Sequence, residues 1–328
     1  MIFKFVFSLT SVSMRKKIAI IDMGTNTFHL LIAAEDEKGQ YHITHRERLA
    51  VKIGKGGINE GYITENGLSR ALEAMHSFRR TIDKEGVGET YAFGTSALRN
   101  ASNREEILKK IEIETGIDAN IISGDVEAEY IYRGVRYSLD MGDEKSLIVD
   151  IGGGSVECII GNSTQIFWKE SFEIGAQRLL EKYQKNDPIT KPEIDILDQH
   201  FKKALKTLFE ALQKHKTSIL IGASGTFDTL SNIFCYQRDI AMTDSQTETP
   251  LTLEAFYEIH EALISKNRAQ RMQIPGMIEM RVDMIVVACC LVRYILSRHS
   301  FVRIRVSTYS LKEGVLESLT QTRALKAH

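Results

Sequence analysis

At 328 residues, 43% hydrophobic and 26% charged, the chain has ordinary water-soluble composition and length for roughly two domains. A net charge of −1 excludes a global basic field for nucleic acid or an anionic membrane, so a polyanion would have to meet a local basic groove. No apolar run reaches the roughly 18 residues of a membrane span.

In chain order, residues 1–14 (MIFKFVFSLTSVSM) lack the basic start and the small-residue cleavage site of a secretory signal. Met14, followed by Arg15-Lys16-Lys17, is a candidate start, and the stretch before it reads as a disordered extension or a misassigned start. Lys17–Ile21 (KIAII) is a short β-branched run entering Asp22-Met23-Gly24, the pattern of a buried central strand. Phe28–Ala33 and Tyr41–Val51 extend it into an antiparallel meander. Thr64–Lys84 predicts a helix, with Thr64 as N-cap and Leu68, Leu72, Met75 and Phe78 at helical spacing. A strand at Thr90–Phe93 runs into Gly94-Thr95-Ser96; a helix over Asn103–Thr115, a strand at Ala119–Ile122 and a helix over Val126–Leu139 follow.

The pattern then begins again. Ser146–Val149 enters Asp150-Ile151-Gly152-Gly153-Gly154, and Val156–Ile160 with Gln165–Glu173 completes a second meander. Helices are predicted around Ala176–Tyr183 and over Lys191–His215, and the strand Ser218–Ile221 ends in Gly222-Ala223-Ser224-Gly225-Thr226. Helices between Leu253 and Val292 and a strand near Val302–Val306 close the set. Strand plus Asp-x-Gly, then strand plus a Gly/Ser/Thr turn, occur twice in the same order, which predicts an α/β fold of two similar lobes. The lobes fall at about 15–140 and 141–310. Cys158, Cys235, Cys289 and Cys290 form no C-x-x-C pair and read as buried thiols of a reducing cytoplasm.

The Asp-x-Gly loops carry the chemistry. Glycine lets backbone N–H groups approach phosphate oxygens, while Thr25, Asn26, Thr27 and Ser155 add neutral donors. An aspartate at the strand end does not welcome phosphate itself, but it can hold Mg²⁺ or orient a water beside it. A single such loop is more often a tight turn; two facing loops favour a phosphate site. After the strand at Ala119–Ile122, Ser123 or Asp125 can cap a helix whose first turn carries Glu127. A glutamate there is ordinarily a surface charge; its functional reading is a general base for water, its pKa raised by nearby phosphate.

These residues resemble a known family. D-M-G-T-N-T-F-H-L, G-T-S-A-L-R-N-A-x-N, I-S-G-D-V-E-A, D-I-G-G-G-S-V-E and G-A-S-G-T stand in the order of the exopolyphosphatase/guanosine pentaphosphate phosphatase (Ppx/GppA) family. The resemblance runs from about Lys17 to Leu319. It implies the actin/Hsp70/sugar-kinase superfamily: two ribonuclease-H-like lobes, an inter-lobe active-site cleft, and a final helix, about 311–328, that packs back on the first lobe. It implies a cytoplasmic hydrolase that releases terminal phosphate from inorganic polyphosphate or guanosine pentaphosphate (pppGpp) with Mg²⁺ or Mn²⁺. By the same resemblance Glu127 positions or deprotonates water, and Asp150, Glu157 and Glu127 are metal-binding candidates, Asp150 also serving catalysis. Gly152, Gly153, Gly154 and Ser155 cradle phosphate from one side, and Gly24, Thr25, Asn26 and Thr27 from the other. Thr95, Ser96 and Arg99 complete the pocket, the planar guanidinium being suited to paired phosphate oxygens. Family members are often dimers.

Departures from the family pattern are Val126 and Glu129 around the candidate base, Val156 after the G-G-G-S serine, and Thr308–Gly314 in place of D-G-x-L-R-E-G. The chain also resembles the short family form without a further helical domain. Arg48, Lys52, Lys55, Lys169 and Arg178 are candidate basic contacts. Two other readings stay open: an ATP-dependent kinase or ATPase of the same superfamily, with G-A-S-G-T at an adenosine, and a non-catalytic polyphosphate or alarmone sensor.

Overall fold

The computed structural model describes residues 16–243 and 245–326, with side chains as far as residue 322. The expected extension over residues 1–14, the Met14 start and the last two residues lie outside the described residues.

The first half opens with three antiparallel strands, β1 (Lys17–Met23), β2 (Thr27–Glu35) and β3 (Tyr41–Ala50). Helix α1 (Glu65–Glu85), strand β4 (Glu89–Gly94), helices α2 (Ser96–Asn100) and α3 (Arg104–Thr115), strand β5 (Ala119–Ile121) and helix α4 (Gly124–Ser138) follow. Their sheet has the order β3-β2-β1-β4-β5, with β4 and β5 parallel to β1. Strand β1 is central because both its faces are apolar: Ala19, Ile21 and Met23 enter one core and Ile18 and Ile20 another. Thr64 caps α1 by accepting the Gly67 amide at 3.1 Å, and Gly86 ends it at φ 65°.

The second half repeats the scheme with β6 (Ser146–Ile151), β7 (Val156–Gly161) and β8 (Ile166–Phe172), then α5 (Ala176–Tyr183), α6 (Lys191–Ala204), α7 (Lys206–Lys214) and β9 (Ile219–Ala223). Next come α8 (Ser224–Gln237), β10 (Glu248–Thr249), α9 (Leu253–Ile264), α10 (Arg268–Met272), α11 (Ile285–Arg298), β11 (Arg303–Ser307) and α12 (Leu311–Lys326). The order β10-β11-β9-β6-β7-β8 contains the first sheet's order, read from β8 to β11, with β10 added at the edge. The fold is mixed α/β with two such sheets.

Two local expectations differ. Lys191–His215 is two helices broken at Leu205, because both segments keep one apolar stripe while the chain bends between them. Gly222–Thr226 is not an open turn: α8 begins at Ser224 directly from β9. The helices expected between Leu253 and Val292 are three, with α9 and α10 parted at 265–267 and α10 and α11 by turns over 273–284, a segment with no steady period.

Between the sheets lies a shared apolar layer of Ile18, Ile20 and Leu31 from one and Ile148, Ile159 and Ile221 from the other. Helices α4 and α12 contribute Ile131, Val135, Val315 and Leu316 to it. α12 packs against α4 and β1, at a crossing only glycine permits. A Cβ on Gly314 would sit 1.7 Å from the Tyr130 carbonyl oxygen, and one on Gly134 2.0 Å from that of Ser310. Among the described residues no helix is long and apolar enough to cross a membrane.

Candidate active site

Strand pairing builds the centre of the site. In the β1–β2 hairpin Asp22 stands opposite His29, and in the equivalent β6–β7 hairpin Asp150 stands opposite Glu157. Cross-strand partners project from the same face a few ångströms apart, so each sheet delivers a matched pair to the gap between them. Residues 24–27, Thr95, Ser96, Glu127, Asp150, residues 152–155 and Glu157 all line that one cavity.

The Gly152–Ser155 loop is oriented by α5. The carbonyls of Gly152, Gly153 and Gly154 accept from the amides of Ala176 (2.9 Å), Gln177 (2.8 Å) and Gly175 (3.1 Å). In a trans peptide the following N–H points the opposite way, so the amides of Gly153, Gly154 and Ser155 turn from α5 toward the cavity. The glycines also allow the lobes to meet: a Cβ on Gly154 would lie 2.5 Å from both Ser96 Oγ and Thr25 Oγ1, and one on Gly153 2.4 Å from Asn26 Nδ2. Gly175, which composition alone did not single out, has the same constraint against Gly153 and Gly154.

Ser123 caps α4 by accepting the Val126 amide at 3.3 Å, which seats Glu127 in the first turn, buried. Arg99, expected to grip phosphate, does not line the cavity. Its Nη1 donates to Glu127 Oε2 at 2.8 Å and to the Ile122 carbonyl at 3.1 Å, and its Nη2 to Glu173 Oε1 at 3.1 Å. It therefore orients the candidate base. Burial, then the Glu157 charge, holds the Glu127 carboxyl well above its usual range, against the pull of Arg99. Burial and then Asp150 raise Glu157 to about 8. Burial, helped by Asp150 and Glu313 and opposed by Lys312, raises Asp22 to about 7. Asp150 is also raised by burial, although Ser224 and Ser310 hydroxyls donate to its Oδ2. Burial and the cations Lys312, Arg281 and Arg48 keep His29 neutral.

Sequence reasoning missed Arg281, Asp228 and Lys312, which line the same cavity. Arg281 is buried against Gly225, its Nε has no hydrogen-bond partner, and burial lowers its pKa. Asn26 Oδ1 is orphaned too; unpaired polar atoms at one cavity mark where a ligand's polar atoms belong. Asp228 on α8 is raised to about 7 by burial. The signal for Arg281 was weak, because it lies in the aperiodic stretch before α11. Of the candidate basic contacts only Arg48 reaches this cavity. Lys52 and Lys55 line a neighbouring one, Lys169 pairs with Asp125 and Glu129, and Arg178 binds the Gly154 and Ile58 carbonyls.

Two sheets of matching order around a cleft with facing Asp-x-Gly hairpins define an actin-like two-lobed fold. The sequence model of the Ppx/GppA phosphatase family matches residues 31–323, and the chain belongs to that family. An exopolyphosphatase from Cytophaga hutchinsonii is 43% identical with a TM-score of 0.91, over 94% of this chain and 98% of that one. The PPX-GPPA enzyme of Aquifex aeolicus is 26% identical with a TM-score of 0.72, over 92% and 99%. The membership supports a hydrolase.

Proposed function

We propose that the protein hydrolyses the terminal phosphoanhydride of inorganic polyphosphate, with pppGpp as the alternative substrate. The observation that carries this reading is Glu127: a buried carboxyl on the cavity wall, aimed by Arg99 and made more basic than an ordinary glutamate by its burial. Water oxygen bonds to the terminal phosphorus as the bond to the bridging oxygen breaks. Its proton passes to Glu127, and the shortened chain leaves with the bridging oxygen. The amides of Gly153, Gly154 and Ser155 and the Arg281 guanidinium neutralise charge on the phosphoryl oxygens.

The donor set fits a divalent cation. Five carboxylates (Asp22, Glu127, Asp150, Glu157, Asp228) share the cavity with three cations (Arg48, Arg281, Lys312). Among the described residues no three acidic, His or Cys side chains form a ready-made cage. Two carboxylates completed by substrate oxygens and water is the manner in which Mg²⁺ is held. Asp150 and Glu157 would hold Mg²⁺ or Mn²⁺, with Glu127 adjacent; when bound, the ion supplies charge neutralisation at the phosphates.

The support for polyphosphate is the likeness to the Cytophaga exopolyphosphatase. Phosphate release from polyphosphate and from pppGpp, with Mg²⁺ or Mn²⁺, is the test. Glu127→Gln is expected to lower kcat about 100-fold or more. No release from either substrate by the unaltered protein would sink the enzyme reading, whereas a fully active Glu127→Gln would remove only the base.

A further inference from the structure

Two unrelated local irregularities converge on one oxygen, Oδ2 of Asp150. The first is at Ser224, which opens α8 at φ 66°. Serine is not a residue that adopts the left-handed region readily, and backbone strain of this kind persists where the surroundings hold it in place. That conformation delivers Ser224 Oγ to Asp150 Oδ2 at 2.6 Å. The second is at Ser310, just before α12. Its backbone amide donates to Glu313 Oε2 at 3.0 Å, which is half of a capping box. The other half is missing: among the described residues no first-turn amide of α12 donates to Ser310 Oγ, which donates to Asp150 Oδ2 instead. The two hydroxyls also lie 3.3 Å apart.

We propose that Ser224 and Ser310 are positioning residues that tie down Oδ2 of Asp150, leaving Oδ1 as the one oxygen free to act in the cavity. The proposal rests on the reading above, in which Asp150 serves the reaction. Two hydroxyl donors on one oxygen fix the carboxylate's rotation about its terminal bond, which is otherwise broad, and a fixed ligand or orienting group is what hydrolysis by positioning requires. Ser310 also ties this aspartate to the other lobe. It sits against Gly134 of α4, the helix that carries Glu127.

The test pairs kinetics with thermal stability on Ser224→Gly, Ser310→Ala, Ser310→Thr and Asp150→Asn. Glycine at 224 removes the hydroxyl and relieves the backbone, two effects of opposite sign on stability, so Ser224→Gly should leave Tm within about 2 °C while kcat falls about tenfold and KM changes little, the loss expected for one hydrogen bond to a charged group. Ser310→Ala should lose a similar factor, and Ser310→Thr, which keeps the hydroxyl, should recover most of it. Ser224→Gly with unchanged kcat would overturn the proposal. So would parallel losses of Tm and kcat, or a Ser310→Thr as impaired as Ser310→Ala. Asp150→Asn separates the two ideas: full activity there defeats the role of Asp150 itself, whereas inactivity together with unaffected serine variants defeats only the positioning.

Discussion

Asp22, Asp228 and Glu157 stand at about 7, 7 and 8 because burial first, and then repulsion from Asp150, disfavours their charged forms. Each holds its proton in the folded protein at a pH where the unfolded chain, with carboxyl pKa values of about 4, has released it. Their stabilising contribution is complete below that value and is lost as pH rises toward the folded pKa values. In EDTA, Tm should therefore fall between about pH 5 and about pH 8, and Mg²⁺ should raise Tm more at the upper end than at the lower, since metal and proton compete for the same oxygens. A Tm independent of pH, or a cation effect equal at both ends, would count against the carboxylate cluster as drawn. Arg99 illustrates what residue type alone conveys. A guanidinium in a phosphate-binding motif suggested a phosphate grip, but the side chain is committed to Glu127 and Glu173, and it is Arg281, its Nε without a partner, that lines the cavity. Charge and shape were readable from the sequence; the direction in which a flexible side chain points was not.

At the level of elements, the α4–α12 crossing is the contact least tolerant of change. A methyl on Gly314 would meet backbone, the Tyr130 oxygen at 1.7 Å and the Gly134 nitrogen at 2.9 Å, and neither can move without shifting a helix. Gly314→Ala should lose about 2–3 kcal/mol of stability in urea unfolding, whereas Gly88→Ala, whose methyl would meet only the Lys17 carbonyl at 3.9 Å, should stay within about 0.5 kcal/mol. The strands that carry Asp22 and Asp150 were legible because short, β-branched apolar runs ending in glycine have few other interpretations. The start of α8 was hidden by its own composition, as Gly222-Ala223-Ser224-Gly225-Thr226 is turn chemistry until Phe227 and Leu230 bury against the core. The break at Leu205 was invisible because the apolar spacing on either side of it continues.

Over the whole molecule, contacts across the cleft gather at one flank. Arg178 holds the Ile58 carbonyl at 2.6 Å, Glu173 takes Ser96 Oγ at 2.6 Å and Glu181 takes the Gly56 amide at 3.0 Å, while Arg178 is itself braced within its own half by the Gly154 carbonyl at 2.8 Å and Glu173 at 3.0 Å. These are polar, partly exposed links of the kind that allow hinge motion rather than weld two bodies. Arg178→Ala should widen the spread of lobe separations in small-angle scattering and raise KM about tenfold, with inorganic phosphate restoring the compact form. An unchanged scattering profile would assign closure to the apolar layer between the sheets instead. The paired hairpins have a last consequence for the proposed substrate. The terminal phosphoanhydride joins a phosphorus with three non-bridging oxygens to one with two, and the protein has to turn the first toward the attacking water. Opposite its aspartate one hairpin carries neutral His29 and the other carries Glu157. That inequality, together with Glu127 and Arg281 in the same cavity, would give a twofold-like cleft a polarity toward the proposed substrate.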